Sequence, residues 1–315
     1  MWDTVIVGGG AAGLSAAVVL ARAQFSTLVV DGGEPRNGPA DHMHGYLTRD
    51  GMVPTEFVAT GQDEYAGYGG TRVQASVVDA RRADHATFEL RLDDGRALHA
   101  RSVLVATGLT DELPDIPGLA ERWASTVHHC PHCHGHEVAG RRLAVIGSAM
   151  DAVSRHLAAL MRRYSTSVTF CTNGIEVNDA ERARLTAYGV RLVDGAVTRV
   201  ASGAGADDVV IHLDGGETIT CDAIFVAPRP APHDAVLTTL GAATDPASGF
   251  VAVDAQGATS VSGLWAAGNV VNPRAQVITA ASAGCVAAIG MTGWLLDREL
   301  TAAVSANRST GGDAR

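Results

Sequence analysis

Short apolar runs, helical stretches and Gly-, Pro- and Asp-rich turns succeed one another along this chain, the rhythm of an α/β protein. Residues 3–7 predict a buried strand that runs into Gly8-Gly9-Gly10-Ala11-Ala12-Gly13, then an Ala-rich helix over 14–23, then a strand over 27–30 ending at Asp31. Residues 55–68 have helical composition, and 71–78 alternate as one strand. Residues 88–92 and 97–100 flank the turn Asp93-Asp94-Gly95 as a hairpin, and 102–106 predict a buried strand leading to Ala106-Thr107-Gly108. The same order returns. Residues 142–146 and the turn Gly147-Ser148-Ala149-Met150-Asp151-Ala152 repeat the strand-turn-helix opening, and 209–227 repeat the hairpin and strand.

Two related units follow, the second set inside the first, because Pro-rich segments at 114–118 and 228–232 mark paired crossings. The expected boundaries are 1–113 and 233–300 for the outer domain, 114–232 for the insert and 301–315 for a mobile polar tail. The last part holds apolar runs at 249–254 and 263–269 and a helix over 276–296.

Composition narrows the function classes. A chain of 315 residues, 46% of them hydrophobic, fills two domains. All 24 basic residues are Arg, and 34 acidic residues bring the net charge to -10. No basic patch is evident to release counterions, which argues against nucleic acid or an anionic membrane as partner. The first strand begins without a basic leader, and no apolar run reaches membrane-spanning length, so a cytoplasmic protein is expected.

Two motifs carry chemistry. In the first turn Gly8 permits the tight bend, Gly10 lets backbone approach a pyrophosphate at the helix N-terminus, and Gly13 lets helix pack on strand. Asp31, at the end of the next strand, can accept hydrogen bonds from a ribose, so a dinucleotide site is expected. The second motif is His128-His129-Cys130-Pro131-His132-Cys133-His134-Gly135-His136-Glu137, which holds five of the twelve histidines. Cysteines two residues apart suit a reducible disulfide, and imidazoles can move the protons that thiol exchange requires. Zinc is the competing reading of Cys with His, but the remaining cysteines, Cys171, Cys221 and Cys285, are isolated, and no metal site is expected.

The order Gly8-x-Gly10-x-x-Gly13, Ala106-Thr107-Gly108, Cys130-x-x-Cys133, the second turn at Gly147, Gly268-Asn269 and Arg274-Ala275-Gln276 resembles the low-molecular-weight thioredoxin reductase family over nearly the whole chain. The resemblance implies two Rossmann-like domains, FAD-binding and NAD(P)-type, with the cysteine pair at the start of the insert facing the flavin, and a homodimer. It further implies that Gly8, Gly10, Ala11, Ala12, Gly13, Asp31, Gly32, Arg36, Asn37, His44, Ala106, Thr107, Gly108, Gly268, Asn269, Gln276 and Val277 hold FAD.

Departures from the family pattern point further. Ala149 stands where nucleotide-binding members have a glycine, and Thr172-Asn173-Gly174 stand where NADPH users have a His-Arg-Arg cluster for the 2′-phosphate. His134 replaces the aspartate that follows the second cysteine in the reductases, and an imidazole suits proton removal from thiols near neutral pH. Asn269 replaces an aspartate, a change with no function assigned to it at this level.

The chain therefore resembles most closely the branch that closes disulfides in small metabolites of gliotoxin and holomycin type. The resemblance implies a dithiol oxidase in which a substrate thiolate attacks Cys130, the second substrate thiol resolves the mixed disulfide, and Cys133 passes the electron pair to the flavin. Molecular oxygen would be the acceptor, giving peroxide, with His134 or else His129 as base. The alternatives are an NAD(P)H-dependent thioredoxin or disulfide reductase and a ferredoxin-linked disulfide flavoprotein.

Overall fold

In the computed structural model, which describes residues 1–84, 87–205 and 208–310, the first apolar run is strand β1 (Trp2–Val7). Its last four residues are buried, as a central strand covered on both faces requires. Helix α1 (Ala11–Arg22) follows the Gly-rich turn, then β2 (Thr27–Asp31), α2 (Pro54–Gly67), β3 (Thr71–Gln74), β4 (Val77–Arg82), β5 (Phe88–Leu92) and β6 (Ala97–Val105).

Two of these elements differ from the sequence expectation. The alternation over 71–78 is not one strand: β3 lies parallel to β2, while β4 pairs antiparallel with β5. Alternation records which face is buried and is blind to a break at Ala75 and Ser76. Conversely, the hairpin arm at 97–100 and the strand at 102–106 fuse into β6, which pairs antiparallel with β5 at Ala97 to Ala100 and parallel with β1 as far as Val105.

The chain then crosses through β7 (Leu109–Glu112) into β8 (Val127–His128), the single helical turn α3 (Pro131–His134), β9 (Leu143–Ile146), α4 (Asp151–Met161), β10 (Val168–Cys171), α5 (Asp179–Ala187) and β11 (Val190–Val193). The antiparallel strands β12 (Val197–Ser202), β13 (Val209–Leu213) and β14 (Thr218–Cys221) follow, then β15 (Ala223–Val226). The return crossing β16 (Arg229–Pro232) pairs with β7 and leads to α6 (Ala235–Thr239), β17 (Leu264–Ala266) and α7 (Val277–Thr310).

Contacts divide the chain into two units. One comprises Met1–Gly38, Tyr46–Thr110 and the chain from Pro232 onward; the other comprises Pro39–Gly45 and Asp111–Ala231. Pro39–Gly45, expected in the outer domain, groups with the insert.

In the first unit the sheet order is β3-β2-β1-β6-β5-β4, with β17 parallel to β6. Helices α1 and α7 pack on it through small residues: Ala12, Ala16 and Ala17 of one, Ala280, Ala287 and Ala288 of the other, all buried. Gly284 makes this possible, since a Cβ there would strike the Ala12 carbonyl. In the second unit a parallel sheet, β11-β10-β9-β15-β8, and the antiparallel β12-β13-β14 form the framework. The parallel strands are apolar almost throughout; β9 and β15 are buried at every residue.

The tail expected from Thr301 is helical to Thr310, because Ala302, Ala303 and Ala306 are strong helix formers and no Gly or Pro stops it before Gly311. Residues 311–315 of that tail lie outside the described residues. The extension also gives α7 an apolar span of 31 residues, Val277–Asn307, long enough by composition to cross a membrane, which the sequence reading did not foresee. Its Ala287, Ala288, Met291 and Leu295 are fully buried in the first unit.

Candidate functional site

The first nucleotide turn is open. Gly8 has φ 105°, and a Cβ there would meet the Ala106 carbonyl; one on Gly13 would meet the Gly8 carbonyl. Gly9 N–H donates to Asp31 Oδ1 at 2.9 Å, tying the turn to the end of β2. Gly10 is the N-cap of α1 and gives it no side-chain cap; the first turn has no acidic residue, and nothing lies within 4 Å of where a Gly10 Cβ would point. An uncapped helix N-terminus facing open space at the end of a central strand is a site for a phosphate anion. The residues fit the pyrophosphate of FAD, with the Asp31 carboxylate placed for its ribose.

Two further segments of the first unit belong with this turn. Thr107 and Gly108 are pinned by His233: its N–H donates to Gly108 O at 3.0 Å, its Nδ1 lies 3.0 Å from Thr107 O, and its Nε2 lies 2.8 Å from Thr110 Oγ1. Thr107 Oγ1 returns a bond to His233 O at 2.7 Å. His233 was invisible as a functional residue in sequence, where its only signal is its place just after Pro232 at the return crossing. Asn269 Nδ2 donates to Asn272 O at 3.0 Å and Ala275 O at 2.9 Å, shaping the loop that delivers Gln276 and Val277 to the start of α7. An ionised aspartate accepts only and could make neither bond, which gives the Asn269 substitution a physical reason. Arg36 Nη1 donates to Pro273 O at 3.2 Å in the same region. Ala11 and Ala12 lie in the first turn of α1, and Gly32 and Asn37 in the segment after β2. Gly268, φ 80°, abuts Ala12, where a Cβ would come within 2.9 Å of the Ala12 methyl.

The second unit carries the disulfide. Cys130 and Cys133 are bonded, with Cα atoms 5.2 Å apart, across a helical turn started by Pro131, whose ring suits the first helical position. Cys133 N–H and His134 N–H both donate to Cys130 O, at 3.2 and 3.1 Å. Gly135 closes the turn against Tyr164; a Cβ there would lie 2.7 Å from the ring.

Histidines surround the pair unequally. His128 is set by the pairing of β8 with β15 and is 6% exposed. Its ring lies flat on that of His134, centroids 4.4 Å apart and planes 19° apart, and against Phe225 at 5.5 Å. The Nδ1 atoms of both His128 and His134 are buried and have no hydrogen-bond partner among the described residues. Burial, then the neighbouring His134 and His129, push His128 down to about 4; burial also lowers His134, with Glu137 opposing and His44 adding to the effect. Both rings are neutral at neutral pH and keep a lone pair for a proton. His129 stacks on Trp123 at 5.4 Å, while His132 and His136 are exposed. His44, expected among the FAD residues, belongs to this unit, its Nε2 3.5 Å from Glu137 Oε1. Among the described residues no three His, Cys, Asp or Glu side chains converge as a metal site.

The second nucleotide turn is shut by its own side chains. Ser148 N–H donates to Ser154 Oγ at 3.3 Å, Met150 N–H to Ser148 Oγ at 3.2 Å, and Ser148 Oγ to Ala227 O at 2.6 Å. Asn173, at φ 49°, bridges Gly147 O and Val197 N at 2.9 and 2.8 Å. Asp151 puts a carboxylate in the first turn of α4. The adjoining cleft, about 600 Å³, holds Glu176 and Glu181, and its two arginines are committed: Arg155 to Asp151 and Glu181, Arg182 to Asp194. The Ser148 and Met150 N–H groups of this turn are thus taken by its own serines, with a carboxylate in the helix turn that follows.

Known proteins share this architecture. Residues 2–284 match the family described as pyridine nucleotide-disulphide oxidoreductase. The chain is 32% identical over 278 residues to thioredoxin reductase tcpT of Claviceps purpurea, spanning 85% of this chain and 86% of that one. It is 28% identical over 320 residues to thioredoxin reductase sirT of Leptosphaeria maculans, spanning 96% and 97%. The crystal structure of HlmI matches with TM-score 0.94 at 41% identity over 99% of this chain and 98% of that one. An oxidoreductase from Agrobacterium tumefaciens matches with TM-score 0.87 at 34% identity, over 94% and 98%.

Proposed function

Since the chain belongs to the pyridine nucleotide-disulphide oxidoreductase family, as a flavin-dependent disulfide oxidoreductase with FAD as cofactor, we propose that it oxidises small-molecule dithiols and needs no nicotinamide nucleotide. One observation carries this reading. The turn that would take the nucleotide is occupied by Ser148, Ser154 and Asn173 and fronted by Asp151, which supports entry of the electron pair through the cysteines.

The residues of this chain then act as follows. A substrate thiolate attacks Cys130 Sγ, breaking the Cys130–Cys133 bond and releasing Cys133 as thiolate; the second substrate thiolate displaces Cys130 and closes the substrate disulfide. His134, neutral and beside Cys133, takes the thiol protons, a role for which His129, stacked on Trp123, is the second choice. Gly8, Gly10, Gly13 and Asp31 hold the cofactor's pyrophosphate and ribose end, and Thr107, Asn269 and Gln276 line its approach. FAD, when bound, would supply the redox chemistry that takes up the cysteines' electron pair, with molecular oxygen as the proposed terminal oxidant and H2O2 as its product. The substrate class is a dithiol of a natural-product pathway, as in the gliotoxin- and holomycin-type branch. Along α7 an exposed apolar stripe, Val286, Ile289, Leu296, Leu300 and Val304, supports assembly as a homodimer.

Anaerobic mixing of the yellow protein with dithiothreitol should bleach the flavin, and air should then yield peroxide; Cys133→Ser should abolish both. Prompt bleaching by NADPH would instead establish the reductase, the activity named in the tcpT and sirT relatives.

A further inference from the structure

Dithiol oxidation moves protons as well as electrons. The balance is 2 RSH + Cys130–Cys133 disulfide → RSSR + two cysteine thiolates + 2 H⁺: one S–S bond breaks, one forms, and the electron pair resides on the cysteines. The protons need a separate route, because the disulfide lies in a unit whose nearest base, His134, is itself partly buried.

The second unit holds a series of proton-carrying groups. His128 is buried and His134 half-buried. Next comes Glu137, which interacts electrostatically with His134 and whose Oε1 is 3.5 Å from His44 Nε2; their side chains are 44% and 25% exposed. His42 follows, exposed, its ring centroid 6.5 Å from that of His44. The series begins at the half-buried His134 and ends at the exposed His42, and the Glu137–His44 and His44–His42 gaps are each within reach of a direct bond or one bridging water. The segment Pro39–Gly45 reaches this place from some ninety residues away in sequence, which makes a shared task for His42, His44 and Glu137 more economical than three separate accidents.

We propose that His134, Glu137, His44 and His42 form a path carrying thiol protons between the disulfide and solvent, with His128 stacked on His134 as its positioning residue. The path rests on the dithiol oxidase reading, since a hydride-driven reductase would not load protons at this end. His128 supports His134 sterically and stays uncharged beneath it, so the outer ring can take a proton without a cation against its face.

The test is anaerobic bleaching of the holoenzyme by dithiothreitol in stopped flow, in dilute buffer, with and without added imidazole. His44→Ala should slow bleaching about tenfold, as loss of one positioned proton carrier does, and imidazole should restore the rate. Glu137→Gln should show the same rescue, and the solvent deuterium effect should grow in both variants. Flavin content, read from the absorbance spectrum, confirms that each variant is folded. Unchanged rates, or a loss that imidazole does not repair in either variant, would overturn the path while leaving the oxidase intact. Failure of the wild-type protein to bleach with dithiol at all would overturn both.

Discussion

At the end of β1 the Gly8–Gly13 turn leaves the N-terminus of α1 uncapped and facing open space; at the end of β9 the Gly147–Asp151 turn spends its donors on Ser148 and Ser154 and sets a carboxylate before α4. Both are strand, turn and helix, and both follow an inner strand with a parallel neighbour on each side. The difference lies in a handful of side chains. A phosphate at the first turn gains the helix dipole and open N–H groups, worth about 1 kcal/mol or more, whereas at the second it meets the Asp151 carboxylate and finds the Ser148 and Met150 N–H groups already bonded. Fold therefore specifies where a nucleotide could bind, and side-chain chemistry decides whether it does.

The contrast can be broken most drastically at the open turn. Gly13→Ala drives a methyl into the Gly8 carbonyl, and the purified variant should lose its flavin absorbance altogether. A variant that stays yellow would show the turn to be looser than its geometry. Next in size, dithiothreitol should bleach the wild-type flavin at least about 100-fold faster than NADPH at equal concentration, a rate gap of about 2.7 kcal/mol. A ratio near one would mean that the closed turn opens in solution. A smaller gain is expected from relieving the closed turn. Ala149→Gly with Asp151→Asn should tighten NADPH binding by about fivefold, measured by fluorescence titration, because removing one carboxylate at a helix N-terminus is worth up to about 1 kcal/mol.

A different kind of test separates the two units by pH. His128 has its folded pKa pushed from 6.5 to about 4, so the unfolded chain binds a proton that the folded one refuses between those values. Its contribution is full above pH 6.5 and is lost as pH falls toward 4, at most about 3 kcal/mol. In the first unit Asp3, which burial would raise but hydrogen bonds from Ser26 and Arg101 hold low, loses its advantage only below about 3.8. Thermal melts should therefore weaken by several degrees between pH 6.5 and 4.5, and His128→Phe should flatten that decline. An equal slope in the variant would place the acid sensitivity elsewhere.

Features that live within a few consecutive residues were legible in the sequence. The glycines of the first turn, the Cys-x-x-Cys pair, the missing basic cluster after β10 and the Pro-marked crossings each state their constraint locally. Features made by folding were not. His44 reads as part of a loop near the nucleotide turn, and only the structure brings it to Glu137, more than ninety residues away. Asn269 looks like a bare loss of charge until its two carbonyl partners are in place. The closure of the second turn was half visible: Ala149, Thr172 and Asn173 were suspect by position, but the bonds from Ser148 to Ser154 and Ala227 depend on tertiary contacts. Strand limits failed where a face continued through a break, as at 71–78, or where two partners shared one strand, as in β6.

The nesting of one unit in the other also sets an order of events at the ribosome. The insert is made from a nearly continuous stretch, and both of its main sheets have emerged once Val226 is clear of the exit tunnel. The outer unit cannot complete its sheet until β17 arrives beside β6, some 160 residues after β6 was made, and α1 has no α7 to pack against until later still. During that interval the outer sheet waits with an uncovered edge and an exposed apolar face, the condition under which nascent chains most need a chaperone. Cofactor capture is then among the last steps of biogenesis, and a growing chain that stalls before residue 264 would release a folded insert tethered to an unfinished, colourless outer unit.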